Sequence, residues 1–459
     1  MSDFDFASLS LPDAQLKNLS DLGYAAMTPI QAASLPHALA GKDLIAKAKT
    51  GSGKTASFGI GLIEKLNPRF FGVQGLVLCP TRELATQVAK ELRRLARYRD
   101  NIKILMIAGG QPIGPQIGSL EHGAHIVVGT PGRIADHLRK GTLQLDQLNT
   151  LVLDEADRML DMGFIDAIAG IIEHTPASRQ TLLFSATYPD EIAAISARFQ
   201  REPITVSVEA QHSETQIEQR FYRCDRAGKS RALIHWLERH RPESTLVFCN
   251  TKQGCDDLRY ELEQAGLVAL ALHGDMEQRE RDEMLVRFAN RSASVLIATD
   301  VAARGLDISD LPAVVNYDLP RQADTYVHRI GRTGRAGQQG LALSLFSESE
   351  QYKIDLISDY QGRPIEPKDP DLRPLDPQEA FLPPMVTLMI SGGRKDKVRP
   401  GDLLGALTGD AEIPGSAVGK IDIADYSAFV AIERSVAKKA LGRLINGKIK
   451  GRRFKVRML

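Results

Sequence analysis

Residues 48–55 read Ala48-Lys49-Thr50-Gly51-Ser52-Gly53-Lys54-Thr55, directly after the apolar run Leu44–Ala46 and before a helical pattern. A strand, a glycine-rich turn and a helix in that order mark a phosphate-binding loop. Gly51 and Gly53 have no Cβ, so backbone N–H groups there can approach phosphate oxygens. Lys54 is placed to reach the β- and γ-phosphates, and the Thr55 hydroxyl to ligate Mg²⁺. Ala48, Lys49, Thr50 and Ser52 complete the cradle, and ATP with Mg²⁺ is the expected cofactor. The general pattern opens with Gly and this one opens with Ala48, yet every functional group is present. The competing reading is a plain glycine-rich turn, which the Gly-Lys-Thr ending between strand and helix disfavours.

About a hundred residues on stands Asp154-Glu155-Ala156-Asp157, at the end of the apolar run Leu151-Val152-Leu153. Acidic residues at the carboxyl end of a parallel strand sit where open α/β sheets bind ligands. Asp154 is placed to hold Mg²⁺ and Glu155 to orient and deprotonate the attacking water, separate jobs in a phosphoryl transfer. Four such residues alone are also compatible with an acidic helix N-terminus. Outward from these two motifs, short apolar runs alternate with helical patterns. Expected strands are Leu44–Ala46, Gly75–Cys79, Ile102–Ile107, His125–Val128, Thr150–Leu153 and Thr181–Phe184. A second series runs through Thr245–Cys249, Ala269–Leu272, Ser294–Ala298, Ala313–Asn316 and Leu341–Phe346. Continuous apolar strands separated by helices predict two consecutive α/β domains with parallel sheets. Their boundary is expected in the polar stretch Arg201–Glu218, giving domains 1–208 and 209–362.

With these motifs the chain resembles the DEAD-box ATP-dependent RNA helicases of superfamily 2, over roughly Phe6 to Phe346. The resemblance implies two tandem RecA-like domains and an RNA-dependent ATPase. Gly23-Tyr24 and Thr28-Pro29-Ile30-Gln31 are similar to the family's adenine-reading motif, which implies that Gln31 reads the base with Phe6 as the upstream aromatic. Pro80–Ala85, Gly109-Gly110 and Thr130–Arg133 match RNA-contacting motifs, which implies RNA contact by Arg82, Gly110, Thr130 and Arg133. Ser185-Ala186-Thr187 matches the motif that couples hydrolysis to domain closure, through Ser185 and Thr187. In the second domain Val247–Asn250 and His273–Asp275 fit, and Gln278 and Arg281 are implied to touch RNA. Thr299–Asp307 places Asp307 at the nucleotide. His328–Arg335 places Arg332 and Arg335 as arginine fingers, a role that suits the fixed fork of guanidinium donors on a transferring phosphoryl group. A bland salt-bridge role is plausible for Arg329.

Seven prolines between Pro364 and Pro384 mark a semi-rigid linker, 363–384. The segment Met385–Leu459 has fifteen basic and seven acidic residues, a charge of +8; the formal charge of the whole is +1, so the rest carries −7. A dense basic segment on a slightly acidic protein points to an anionic partner. Its pattern, strand Val386–Ile390, helix Asp402–Leu407, strands Val418–Ile423 and Ala428–Ile432, helix Glu433–Ile445, strand Phe454–Met458, is the βαββαβ order of RNA recognition motifs. Such modules stack bases on aromatics of the two central strands. Here the first has none, and the other offers Phe429, which either stacks or belongs to the core. RNA contact is therefore expected from basic residues, Lys448, Lys450, Arg452, Arg453 and Lys455.

A helicase core with this linker and tail resembles the DbpA subfamily. That resemblance implies binding of a 23S ribosomal RNA hairpin and work on pre-50S particles. The rivals are a general RNA helicase without fixed target and an ATP-gated RNA clamp with little turnover. Four cysteines without a CxxC pair argue against a zinc or disulfide framework and fit a reducing compartment. The N-terminus carries Asp3, Asp5 and Asp13 and does not read as a signal peptide. No run of about 18 apolar residues suggests a membrane span. A cytoplasmic protein with no obligate protein partner is expected.

Overall fold

The computed structural model describes residues 4–48, 51–188, 190–208, 217–303, 311–334, 339–373, 380–409 and 413–459. The first α/β domain is built on seven parallel strands: β1 (Leu44–Lys47), β2 (Gly75–Leu78), β3 (Ile104–Ile107), β4 (Ile126–Gly129), β5 (Thr150–Asp154), β6 (Gln180–Ser185) and β7 (Ile204–Ser207). Their order is β3-β4-β2-β5-β6-β1-β7. β2, β4, β5 and β6 are buried along their whole length, as strands covered by helices on both faces must be. Side chains alternate between two cores: Ala46, Val77, Val152 and Leu182 face one, and Ile45, Leu76, Leu151 and Leu183 the other. The order sets β5, β6 and β1 side by side, so the chain leaving each of them emerges at one edge of the domain.

The expected boundary stretch Arg201–Glu218 contains structure that its polarity concealed. β7 lies in it and pairs with β1, Leu44 opposite Ile204. β7 is an edge strand with alternating half-buried and exposed residues, so it never forms the continuous apolar run that marks the inner strands. The next strand, β8 (Ile217–Arg223), is likewise at an edge, with only Phe221 buried.

The second α/β domain adds β9 (Thr245–Phe248), β10 (Ala269–Leu272), β11 (Val295–Ala298), β12 (Ala313–Asn316) and β13 (Gly340–Phe346) in the order β10-β11-β9-β12-β13-β8, again all parallel. The Pro-rich stretch after the helix Gln351–Gln361 lies partly along this domain. Lys368 exchanges backbone hydrogen bonds with β8, donating to Phe221 O and accepting from Arg223 N. Leu372 and Phe381 pack on its core.

The C-terminal domain has the expected βαββαβ order. β14 (Met385–Ile390), β15 (Val418–Ile423), β16 (Ala428–Glu433) and β17 (Val456–Met458) form an antiparallel sheet ordered β15-β16-β14-β17. β16 runs on to Glu433, and a short 3₁₀ turn, Arg434–Val436, precedes the last helix, Ala437–Asn446, which starts later than the sequence pattern suggests. Both helices cover one face of this sheet, where Val386, Leu388, Ile390, Val430 and Ile432 meet Leu403, Leu407, Ala440 and Leu444. Second and C-terminal domains form one compact unit. No described helix is long and apolar enough to cross a membrane.

Candidate nucleotide site and RNA-binding surfaces

The glycine-rich loop leaves β1 and enters the helix Lys54–Glu64. Gly51 and Gly53 have φ of 85° and 91°, a left-handed backbone that a side chain disfavours. A Cβ at Gly53 would also stand 2.5 Å from Gln31 Nε2 and displace that side chain from its hydrogen bond to the loop. The helix presents its unpaired N–H groups and the positive end of its dipole at the loop, a ready anion site. Lys49 and Thr50 lie outside the described residues.

Gln31 is buried beneath this loop. Its amide nitrogen donates to Gly53 O at 3.1 Å, its oxygen accepts from Thr28 N, and the Thr28 hydroxyl donates to Ser52 O at 2.8 Å. Gln31 and Thr28 thus brace the loop from below, and the spacing of the two residues on a helical cap makes that possible. Phe6 is buried, edge-on to Tyr24 with ring centres 6.2 Å apart.

Facing the loop, Asp154 ends β5 and Glu155 follows at φ 53°. A left-handed conformation costs a non-glycine residue roughly 1–2 kcal/mol, and such strain collects at functional sites. Arg158 Nε lies 3.4 Å from the Glu155 carboxylate. Both carboxylates are buried. Burial pushes Asp154 up to about 6; the Lys54 charge opposes that rise and Glu155 adds to it. Lys54 Nζ, Ser52 Oγ and Asp154 Oδ1 are buried and have no hydrogen-bond partner among the described residues. A cation, a hydroxyl and a carboxylate oxygen left so are costly unless a ligand serves them. A nucleotide phosphate with a divalent cation matches that set: anionic oxygens for Lys54 and Ser52, the metal for Asp154 and the half-buried Thr55.

One residue of the acidic run was given no role by its sequence. Asp157 Oδ2 accepts from Ala186 N at 3.1 Å, Thr187 N at 2.8 Å and the Thr187 hydroxyl at 2.9 Å. Asp157 N in turn donates to Ser185 Oγ at 3.2 Å, and Ala48 N donates to Ser185 O. Burial opposes its ionisation, but the Thr187 hydrogen bonds and the Lys54 charge outweigh it and hold the carboxyl below the usual range. Ser185 and Thr187 are thereby tied to the acidic run and the phosphate loop at once. The only sequence signal was that β5 and β6 end in polar residues; their adjacency is a property of the sheet.

Arg82, Gly110, Thr130 and Arg133 gather at the same end of the first domain. Arg82 Nη1 donates to Gly109 O at 3.2 Å, and Arg133 donates to Gln116 Oε1 and Gln111 O at 3.0 Å each. Arg82 opens the helix Arg82–Leu95, where a cation opposes the helix dipole. Stability alone would not place it there. Thr130 precedes the proline-led helix Pro131–Arg139.

In the second domain Gln278 and Arg281 occupy the first turn of the helix Gln278–Ala289, three residues apart and so on one face. Arg329 is fully buried. It makes a two-pronged pair with Asp300, 2.7 Å on each arm, and donates to Asn316 Oδ1, Asp318 O and Asn250 Oδ1. It is a structural hub, and three motifs distant in sequence meet on it. Arg332, three residues beyond that hub, is 6% exposed. Asp307 and Arg335 lie outside the described residues. In the C-terminal domain Lys448, Lys450, Arg452, Arg453 and Lys455 are all exposed.

Comparison with known proteins agrees with this geometry. Residues 28–195 match the family described as DEAD/DEAH box helicase, residues 228–337 the helicase conserved C-terminal domain, and residues 387–458 the DbpA RNA binding domain. The chain is 54% identical over 456 residues to the ATP-dependent RNA helicase DbpA of Escherichia coli K12, covering 99% of each. It is 44% identical to the ATP-dependent RNA helicase CshA of Listeria monocytogenes, over 79% of this chain and 70% of that one. Among solved structures, S. cerevisiae Dbp5 bound to RNA and ADP BeF3 is similar with a TM-score of 0.72 and 31% identity, over 80% of this chain and 95% of that one. A phosphate cradle, a strained acidic strand end, two helicase domains and a DbpA-type RNA-binding domain, all within one chain, make this protein a member of the DEAD-box ATP-dependent RNA helicases.

Proposed function

We propose that this helicase opens short RNA duplexes on a large-subunit ribosomal RNA, held there by a hairpin that its C-terminal domain binds. ATP sits on Lys54 and the loop 48–55, with Gln31, Phe6 and Asp307 around the base and ribose. Mg²⁺, held by Thr55 and Asp154 along with phosphate oxygens, supplies positive charge to the β- and γ-phosphates, in keeping with its preference for few carboxylates. Glu155 orients the attacking water and takes its proton. Arg332 and Arg335 stabilise the negative charge that spreads over the transferring phosphoryl group, so hydrolysis requires the two α/β domains to meet over ATP.

Arg82, Gly110, Thr130, Arg133, Gln278 and Arg281 grip one RNA strand by its backbone, which carries no sequence information. A strand bent between the two domains cannot remain in a continuous A-form duplex, and the duplex parts locally. Ser185 and Thr187, tied to Asp157, pass the state of the phosphate site to that grip. Target choice falls to the exposed cations Lys448, Lys450, Arg452, Arg453 and Lys455. Pre-50S particles in the cytoplasm are the proposed setting.

The observation that carries this reading is the division of the chain, with the buried Lys54, Asp154 and Glu155 in the first domain and an exposed basic run in the C-terminal domain. Crosslinking in cells followed by sequencing of the bound RNA tests it. Reads concentrated at one hairpin of large-subunit ribosomal RNA are expected. Reads spread evenly over cellular RNA would leave a general helicase.

A further inference from the structure

The sheet of the C-terminal domain has two faces, and along its central strands β14 and β16 both are buried. Val386, Leu388 and Ile390 of β14 point into the domain's own core. By the two-residue period of a strand, Thr387 and Met389 point the other way. On the neighbouring β16, Ala431 stands opposite Thr387 and Phe429 opposite Met389. A small domain with helices on one side should leave such residues wet. Instead Thr387 is 0% exposed, Ala431 2%, Met389 4% and Phe429 7%.

What covers Thr387 belongs to the second α/β domain. Its hydroxyl accepts from Asn290 Nδ2 at 3.2 Å and shares a 2.6 Å hydrogen bond with Ser292 Oγ. Asn290 and Ser292 are themselves 3% and 4% exposed. Beside them Met385 N donates to Arg291 O. At the far edge Arg457 of β17, the cross-strand neighbour of Met389, forms a 2.7 Å ion pair with Glu283 on the helix Gln278–Ala289.

We propose that this sheet face, the one on which recognition motifs stack bases, is here a permanent dock onto the second α/β domain. Thr387 is its positioning residue. The absence of aromatics from β14 follows: a face given to another protein domain needs apolar side chains and a satisfied hydroxyl, and Phe429 of β16 is buried there instead of standing free to stack. RNA is left the opposite side. The helix Ala437–Asn446 turns Ala437, Ala440 and Leu444 to the domain core and leaves Lys438 and Lys439 exposed. RNA held by the basic side therefore meets the second α/β domain from one fixed direction, because its holder cannot swivel on it. That last step rests on the proposed role of the basic run; the dock itself does not.

The test measures a distance in the full-length protein without RNA. Dyes are attached at Tyr260→Cys and Tyr426→Cys, both well exposed, in a Cys224→Ser background, and single-molecule energy transfer is recorded. One narrow distance population is expected. Thr387→Arg, which drives a charge into the dock, should replace it with a broad one, while Thr387→Ser should retain it. Glu283→Arg should broaden the population, and adding Arg457→Glu should restore it, a rescue that a misfolded domain cannot give. A broad population in the otherwise unaltered protein, or a narrow one that survives Thr387→Arg, would overturn the dock. Loss of ribosomal RNA preference with the distance intact would count against the proposed RNA target alone.

Discussion

Glu155 has the fewest alternatives of any residue in the first domain. Its backbone is strained, its carboxylate is buried, and Arg158 holds it in place. Glu155→Gln keeps the shape and removes the proposed base. Turnover should fall by about 10²–10⁴-fold, the usual worth of a positioned general base, while ATP affinity changes little. Titration with a fluorescent ATP analogue beside a steady-state ATPase assay decides it; loss of nucleotide binding would make Glu155 a ligand instead. For Arg332→Ala, the proposed arginine finger, the expected loss of turnover is about 10³-fold or more, the usual worth of such a residue, with a modest change in ATP binding to the free enzyme. Near-normal turnover would remove Arg332 from the reaction. Motif chemistry made Lys54, Asp154 and Glu155 legible in the sequence. Asp157 was not legible as a link, since its partners at Ala186 and Thr187 come from the turn that follows another strand, β6.

Among elements, inner strands were readable and edge strands were not. β5 is apolar from Leu151 to Leu153 and buried along its whole length because helices cover both its faces, whereas β7 and β8 have one wet side and mixed sequences. The helix Gln351–Gln361 shows how charge fastens an element. Burial opposes ionisation of Glu350, but Lys353, the Ser347 N–H and the buried Lys229 together outweigh it and bring the carboxyl down to about 2 from an ordinary 4.5. A depressed carboxyl favours the fold above the unfolded value and loses that contribution as pH falls through the folded one. Stability of the second domain should therefore drop between pH 4.5 and about 2, with Glu350 responsible for on the order of 2 kcal/mol of the change. Trp236, the single tryptophan and part of that domain's core, reports on it alone. Urea unfolding followed by its fluorescence should show a shallower acid slope for Glu350→Gln. Equal slopes would mean the ion pairs do not persist in solution.

At the scale of the whole molecule the charge is divided as the work is. Removing everything after Pro384 takes away +8 and no hydrolytic group. ATP turnover at saturating RNA should survive. RNA affinity should fall and its dependence on salt should flatten, since fewer cations displace fewer counterions. Preference for ribosomal over unrelated RNA should vanish as well, because the core motifs are proposed to address the backbone, which carries no sequence information. Activation curves at two salt concentrations, for both proteins and both RNAs, provide the comparison. An unchanged preference in the shortened protein would put specificity in the core.

The sequence by itself determined the chemistry and the layout: a phosphate loop, an acidic strand end, two parallel-sheet domains and a basic βαββαβ tail. Those follow from local spacing and from the run lengths of apolar residues, which neighbours in the chain suffice to specify. Tertiary structure decided what distant residues do to one another. It set Gln31 under Gly53, Asp157 across to Thr187, and Arg329 between Asp300 and Asn250. It also decided which face of the C-terminal sheet is covered. A strand's period tells that Thr387 and Leu388 point in opposite directions; only the packing of one domain on another tells that both directions are inward.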